Sequence, residues 1–229
     1  MVQNKALVFV KPADELVAGE NVEVQTLEFD DNEGSPSGGF TARTLYASFD
    51  PYLRLRCMAP EAARDACFEL LPPGSVIPNA VLVKVLKSDT DRFEPGQLLI
   101  GLAPIQEYVT VTKEAAALFA PISNPYNLEP KLFLGPLGMP GLTAYCGMYD
   151  LGQPKKGETL FVSAASGAVG QLVGQLAKRE GLTVIGCAGS EEKVKTLKEV
   201  FKFDGAFNHR EGDPSEQLKK LAPDGIDSR

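Results

Sequence analysis

Between an apolar run and a stretch of helical periodicity the chain reads Ala165-Ser166-Gly167-Ala168-Val169-Gly170. This turn matches the dinucleotide fingerprint G-x-G-x-x-G with alanine in the first place. Gly167 would let the backbone approach a pyrophosphate, and Gly170 would let a helix pack closely on the preceding strand. A helix starting at Gly167 would offer unpaired N–H groups and a positive dipole end to phosphates. A tight strand–helix turn that binds nothing has the same composition. The turn sits inside a βαβ unit of about thirty residues, and that context favours a dinucleotide.

The end of the next strand selects the cofactor. Units that bind NAD close their second strand with Asp or Glu, which accepts hydrogen bonds from the ribose 2′-OH. Here that place holds Cys187, Ala188, Gly189 and Ser190, with Lys193 one turn later. A carboxylate would repel a 2′-phosphate, whereas Ser190 and Lys193 can bind one, so the pattern favours NADPH over NADH. Ser190 also suits a helix N-cap, with Glu191 and Glu192 in the first turn. The two roles are compatible.

Other chemistries find little to work with. The single histidine, His209, and four cysteines without a CxxC pair do not make a zinc ligand set, so no metal is expected. A Ser–His–Asp triad would have to use His209, on a segment with no nucleophile elbow. Cys57, Cys67, Cys146 and Cys187 read as free thiols in a reducing compartment, which suggests a cytoplasmic protein. A net charge of −7 and a pI near 4.9 argue against nonspecific binding to nucleic acid or anionic membrane. No apolar run of the ~18 residues a membrane span needs occurs. The N-terminus MVQNKALVFV has no signal-peptide layout.

The elements that would hold these groups fall into two parts. Residues 1–128 are rich in strand and turn signals, with strands expected over 6–10, 22–29, 40–49, 81–87, 97–100 and 108–111. That suits a β-barrel or sandwich-like domain. The segment 60–70 reads as either a short helix or a loop. From 129 to 229 the character changes. After an apolar stretch broken by Gly and Pro, strands are expected at 159–163, 183–187 and 206–208, with helices at 167–180, 191–201 and 214–221. Gly225-Ile226-Asp227 looks like the start of one more strand. Such alternation implies a parallel sheet with crossover helices, a Rossmann domain.

Five blocks now carry a resemblance. They are FDPYLRLR (49–56), LGPLGMPGLTAYCGMYDLG (134–152), GETLFVSAASGAVGQLVGQLAK (157–178), AGSEEKV (188–194) and FDGAFNHRE (203–211). In this order they resemble the medium-chain dehydrogenase/reductase superfamily, and within it the zinc-independent prostaglandin reductases and alkenal double-bond reductases. The resemblance implies a GroES-like β-barrel followed by a Rossmann domain, with NADPH in the cleft between them. It implies hydride transfer to the β-carbon of an α,β-unsaturated ketone or aldehyde, here the expected small-molecule partner. Ser166, Gly167, Ala168, Val169 and Gly170 would form the pyrophosphate turn, and Gly189, Ser190 and Lys193 the 2′-phosphate clamp. His209 stands where the family often has a clamp tyrosine, a departure that weakens the clamp, and it reads equally as an exposed strand-end residue. Met139 and Thr143 would approach the nicotinamide. Tyr52 would face the substrate and hydrogen-bond a carbonyl or enolate oxygen, or else be a barrel aromatic whose hydroxyl is satisfied.

The resemblance also implies a longer chain. In a 3-2-1-4-5-6 sheet only strands 3, 2 and 1 would be present, leaving the strand at 159–163 on an edge. An apolar edge invites pairing with another chain, so low stability, a homodimer or edge-strand association is expected. Three functions compete: an NADPH-dependent enone or alkenal reductase, a non-catalytic remnant or interaction module with weak NADPH binding, and a quinone reductase.

Overall fold

The computed structural model describes residues 1–13, 17–60 and 68–227. Most of the segment read as helix or loop, including Cys67, lies outside the described residues. So do Ser228 and Arg229. The chain divides into two compact units, Met1–Leu134 and Gly135–Arg229.

The first unit is built on antiparallel strands. β1 (Val2–Phe9) pairs with β2 (Val22–Phe29) as a hairpin. β3 (Phe40–Ala47), β4 (Pro78–Ser88), β5 (Leu98–Pro104), β6 (Tyr108–Val111) and β7 (Ala120–Pro121) form a second sheet in the order β6-β3-β4-β5-β7. Buried Asn4 stitches β1 to β6 by imitating a strand: its amide donates to the Tyr108 carbonyl at 3.0 Å, and its carbonyl accepts from the Tyr108 N–H at 2.9 Å. Alternation puts Phe40, Val81, Val83 and Val109 into the core, where Phe93 and Phe119 meet Phe40 edge-on at 5.4 and 5.2 Å. Two short helices complete the unit, α1 (Tyr52–Arg56) and α2 (Lys113–Ala116), followed by a 3-10 turn at Pro130–Leu134.

The second unit opens with α3 (Met139–Tyr145), which runs on as a π-helical stretch, Cys146–Gly152. β8 (Thr159–Val162), α4 (Gly170–Glu180), β9 (Thr183–Ala188), α5 (Glu191–Glu199), β10 (Gly205–Asn208) and α6 (Pro214–Leu221) then alternate. The strands form a parallel sheet in the order β10-β9-β8. β9 is buried along almost its whole length, as a central parallel strand should be. Small residues let α4 settle close to its neighbours: Gly170, Gly174 and Ala177 are its buried positions. A Cβ on Gly174 would meet the Phe203 ring at 2.0 Å.

Two expectations are corrected here. The helix after the fingerprint begins at Gly170, not Gly167. The chain first makes a turn with Ala164 at φ 46°, closed by the Gly167 N–H donating to the Ala164 carbonyl at 2.8 Å. That turn uses up the residues expected to open the helix. The second correction concerns Gly225-Ile226-Asp227, which forms no strand. Only Asp227 reaches β8: its N–H donates to the Thr159 carbonyl at 3.0 Å, and its carboxylate accepts from the Thr159 N–H at 2.9 Å. Among the described residues β8 is therefore an edge of the parallel sheet, paired with β9 on one side and met on the other only at Thr159.

Candidate functional site

The turn after β8 leaves a row of donors open. Ala165 continues the sheet, its N–H donating to the Cys187 carbonyl at 2.9 Å. The N–H groups of Ser166, Ala168, Val169 and Gly170 then have no hydrogen-bond partner among the described residues, and α4 carries no side-chain cap. Gly167 and Ala168 are exposed. Unpartnered N–H groups at the positive end of an eleven-residue helix suit an anion such as a pyrophosphate. Gly170 has a packing reason as well. A Cβ there would stand 2.7 Å from the Ala164 carbonyl oxygen and 2.8 Å from Ala165 Cα, backbone atoms that cannot give way.

The ends of β9 and β10 lie beside each other because their register sets Asn208 opposite Ala188. The His209 N–H extends this ladder, donating to the Ala188 carbonyl at 3.0 Å. Around Gly189 the structure gathers two side chains. A Cβ on Gly189 would touch His209 Cε1 and Arg210 Nε, each at 3.4 Å. Buried Asn208 braces this corner, accepting from the Arg210 N–H at 3.1 Å and donating to Glu211 at 2.9 Å. Ser190 caps α5 by accepting from the Lys193 N–H at 3.4 Å, and its hydroxyl proton stays free to donate. Lys193, His209 and Arg210 are exposed, and among the described residues neither Lys193 nor Arg210 forms an ion pair.

These features fit a dinucleotide that carries an extra phosphate. The turn offers donors, and no carboxylate stands at the end of β9. Arg210 adds a cation that the sequence reading overlooked. Its signal was a basic residue directly after the last strand, but only the β9–β10 register brings it to Gly189.

Met139 and Thr143 sit one turn apart on α3, both exposed. The Thr143 hydroxyl donates to the Met139 carbonyl at 2.8 Å.

Tyr52 belongs to the first unit, at the start of α1. Its ring lies 5.1 Å from that of Phe68, against a cluster containing Phe9, Leu53 and Ile77. Its hydroxyl donates to Asn79 Oδ1. Asn79 in turn donates to the Ser48 carbonyl at 2.7 Å and to Asp50 Oδ2 at 2.8 Å. Burial, and then the nearby Asp50 charge, push the Tyr52 phenol above its usual range, partly offset by Arg56. The phenol thus remains protonated at neutral pH. Among the described residues no group of three or more His, Cys, Asp or Glu side chains is gathered as for a metal ion. No helix of the described residues is long and apolar enough to cross a membrane.

Comparison with known proteins agrees with this architecture. Residues 5–119 match a family model described as the N-terminal domain of oxidoreductase, and residues 168–228 one described as zinc-binding dehydrogenase. An NADP-dependent oxidoreductase of Cochliobolus heterostrophus is 44% identical over 228 residues, covering 99% of this chain and 64% of its own length. A 2-alkenal reductase (NADP(+)-dependent) of Nicotiana tabacum is 45% identical, over 83% of this chain and 54% of its own. The crystal structure of CurA from Vibrio vulnificus in complex with NADPH superposes with a TM-score of 0.84 at 32% identity, over 97% of this chain and 63% of that one. The chain thus spans just over half to about two thirds of the length of these relatives. With an N-terminal GroES-like β unit and a Rossmann-like parallel sheet, it belongs to the medium-chain dehydrogenase/reductase family, whose members include alkenal reductases.

Proposed function

We propose that this protein binds NADPH and acts as an oxidoreductase that reduces the C=C bond of α,β-unsaturated ketones or aldehydes. The observation that carries the proposal is the set of unpartnered N–H groups of Ser166, Ala168, Val169 and Gly170, in the same unit as a β9–β10 corner where Lys193 and Arg210 form no ion pair among the described residues. In this proposal the backbone N–H groups of Ser166, Ala168, Val169 and Gly170 hold the pyrophosphate, and Gly167, whose own N–H closes the turn, lets the backbone approach it. Gly189 leaves room for the ribose. Ser190, Lys193, His209 and Arg210 hold the 2′-phosphate by hydrogen bonds and charge. Met139 and Thr143 line the nicotinamide, and Tyr52 meets the substrate. When bound, NADPH supplies the hydride, and the protein's part is to orient and to exclude water. Relatives named as NADP-dependent oxidoreductase, 2-alkenal reductase and (+)-pulegone reductase support this substrate class.

Fluorescence titration of the purified chain with NADPH, with NADH as control, tests the cofactor. Saturable binding that prefers NADPH is expected, followed by enone-dependent NADPH consumption. Binding without consumption would favour a non-catalytic binding module. No preference for NADPH over NADH would remove the 2′-phosphate assignment.

A further inference from the structure

The hydrogen bonds around Asn79 have only one consistent polarity. Its Nδ2 lies 2.7 Å from the Ser48 carbonyl oxygen and 2.8 Å from Asp50 Oδ2. A carbonyl oxygen only accepts, and so does an ionised carboxylate. Flipping the amide would set Asn79 Oδ1 against the Ser48 carbonyl, two acceptors with no hydrogen between them. The orientation seen is therefore forced, and both Nδ2 hydrogens are used. Oδ1 can only accept, so Tyr52 must donate to it. A phenol has one proton. Asn79 is 2% exposed and Asp50 9%, so water has little access to replace either partner. Withdrawing the Tyr52 proton would strand Oδ1 in a buried place.

We infer that Tyr52 meets its ligand as a hydrogen-bond acceptor, with Asn79 and Asp50 as the residues that position it. The ligand class that fits is an unsaturated carbonyl compound bearing a hydroxyl, whose O–H donates to the free lone pair of Tyr52. A bare carbonyl or enolate oxygen, which also accepts, is a poor match. That Tyr52 meets the substrate rests on the function proposed above; the direction of its hydrogen bond does not.

Two measurements test this separately. The first needs no ligand. Tyrosine labelled with 13C at Cζ is introduced, and the Tyr52 signal is assigned by its loss in Tyr52→Phe. In a mixture of H2O and D2O a locked hydroxyl exchanges slowly and gives separate OH and OD signals. Two signals are expected in the wild type, and one averaged signal would overturn the assignment. Asn79→Leu should collapse them to one. If that variant does not fold, Asp50→Asn, which removes a charge but keeps the amide hydrogen-bonded, should retain two.

The second measurement uses a matched pair of enones, one with a free hydroxyl and one with that oxygen methylated. A KM about tenfold lower for the hydroxyl form is expected, the scale of one hydrogen bond. Tyr52→Phe should erase the difference, with the loss in KM rather than kcat. Equal KM values would show that no ligand hydroxyl donates to Tyr52, and a fall in kcat shared by both enones in Tyr52→Phe would point to Tyr52 giving its proton to substrate; either result would overturn the inference. If neither enone is consumed, the proposed function fails, while the labelled tyrosine still decides the polarity.

Discussion

The two units treat their polar groups in opposite ways. Around Tyr52 donors and acceptors answer each other: the phenol gives to Asn79, and Asn79 gives to Ser48 and Asp50. Around the fingerprint turn the N–H groups of Ser166, Ala168, Val169 and Gly170 are left open, and among the described residues Lys193 and Arg210 form no ion pair. A buried polar group must be paired inside the protein, whereas an exposed helix end can wait for a ligand. The first arrangement fixes a geometry in advance, and the second recruits an anion.

Substitution at Gly170 should give the largest effect. Gly170→Val puts carbon against the backbone of Ala164 and Ala165. A loss of about 3 kcal/mol in urea unfolding is expected from the overpacking, together with loss of NADPH binding. Binding that survived would mean the turn is not the anion site, and the contrast between the units would fail.

Asn79→Leu comes next. It leaves a buried carboxylate oxygen and a phenol without partners, and about 2–3 kcal/mol of stability should be lost in the same assay. Tyr52→Phe, which removes one donor, should cost about 1 kcal/mol. Equal costs would show that the network is looser than its geometry.

Arg210→Ala and Lys193→Ala should each weaken NADPH about tenfold, or ~1.4 kcal/mol, and leave NADH affinity unaltered. The difference should shrink as salt is added. An equal loss for both cofactors would move these cations away from the 2′-phosphate.

The smallest effect concerns pH. The Tyr52 phenol is raised above its ordinary value of 10.0, so the folded state holds the proton more tightly than the unfolded chain. The stability this contributes is fully present below about pH 10 and is lost as pH rises through the folded value. The stability gap between wild type and Tyr52→Phe should therefore be flat through neutral pH and narrow in alkali. A gap that widened above pH 10 would contradict the raised phenol.

Local patterns were legible where one element answers to its own periodicity. The expected bounds of β2, β6 and α6 coincide with those found. Ser190 was readable as a cap because the cap lies three residues from its partner. The start of α4 was misread, since the left-handed turn at Ala164 has no glycine to announce it. The π-helical stretch after α3 was not anticipated, because its apolar spacing resembles that of an ordinary helix. Arg210 was overlooked because a basic residue after a strand has no meaning until the register of the neighbouring strand is known.

By itself the sequence determined the parallel βαβ order, the phosphate-type turn and the absence of an acidic residue at the end of β9. Each depends on neighbours within one or two turns, where backbone sterics and periodicity act. Only the tertiary structure decided that Asn79 stands against Tyr52, 27 residues away, and which of the two holds the proton. It alone set Arg210 beside Gly189 and left the turn's donors open. Those outcomes depend on which distant groups share a buried space, and there hydrogen-bond polarity leaves a single arrangement.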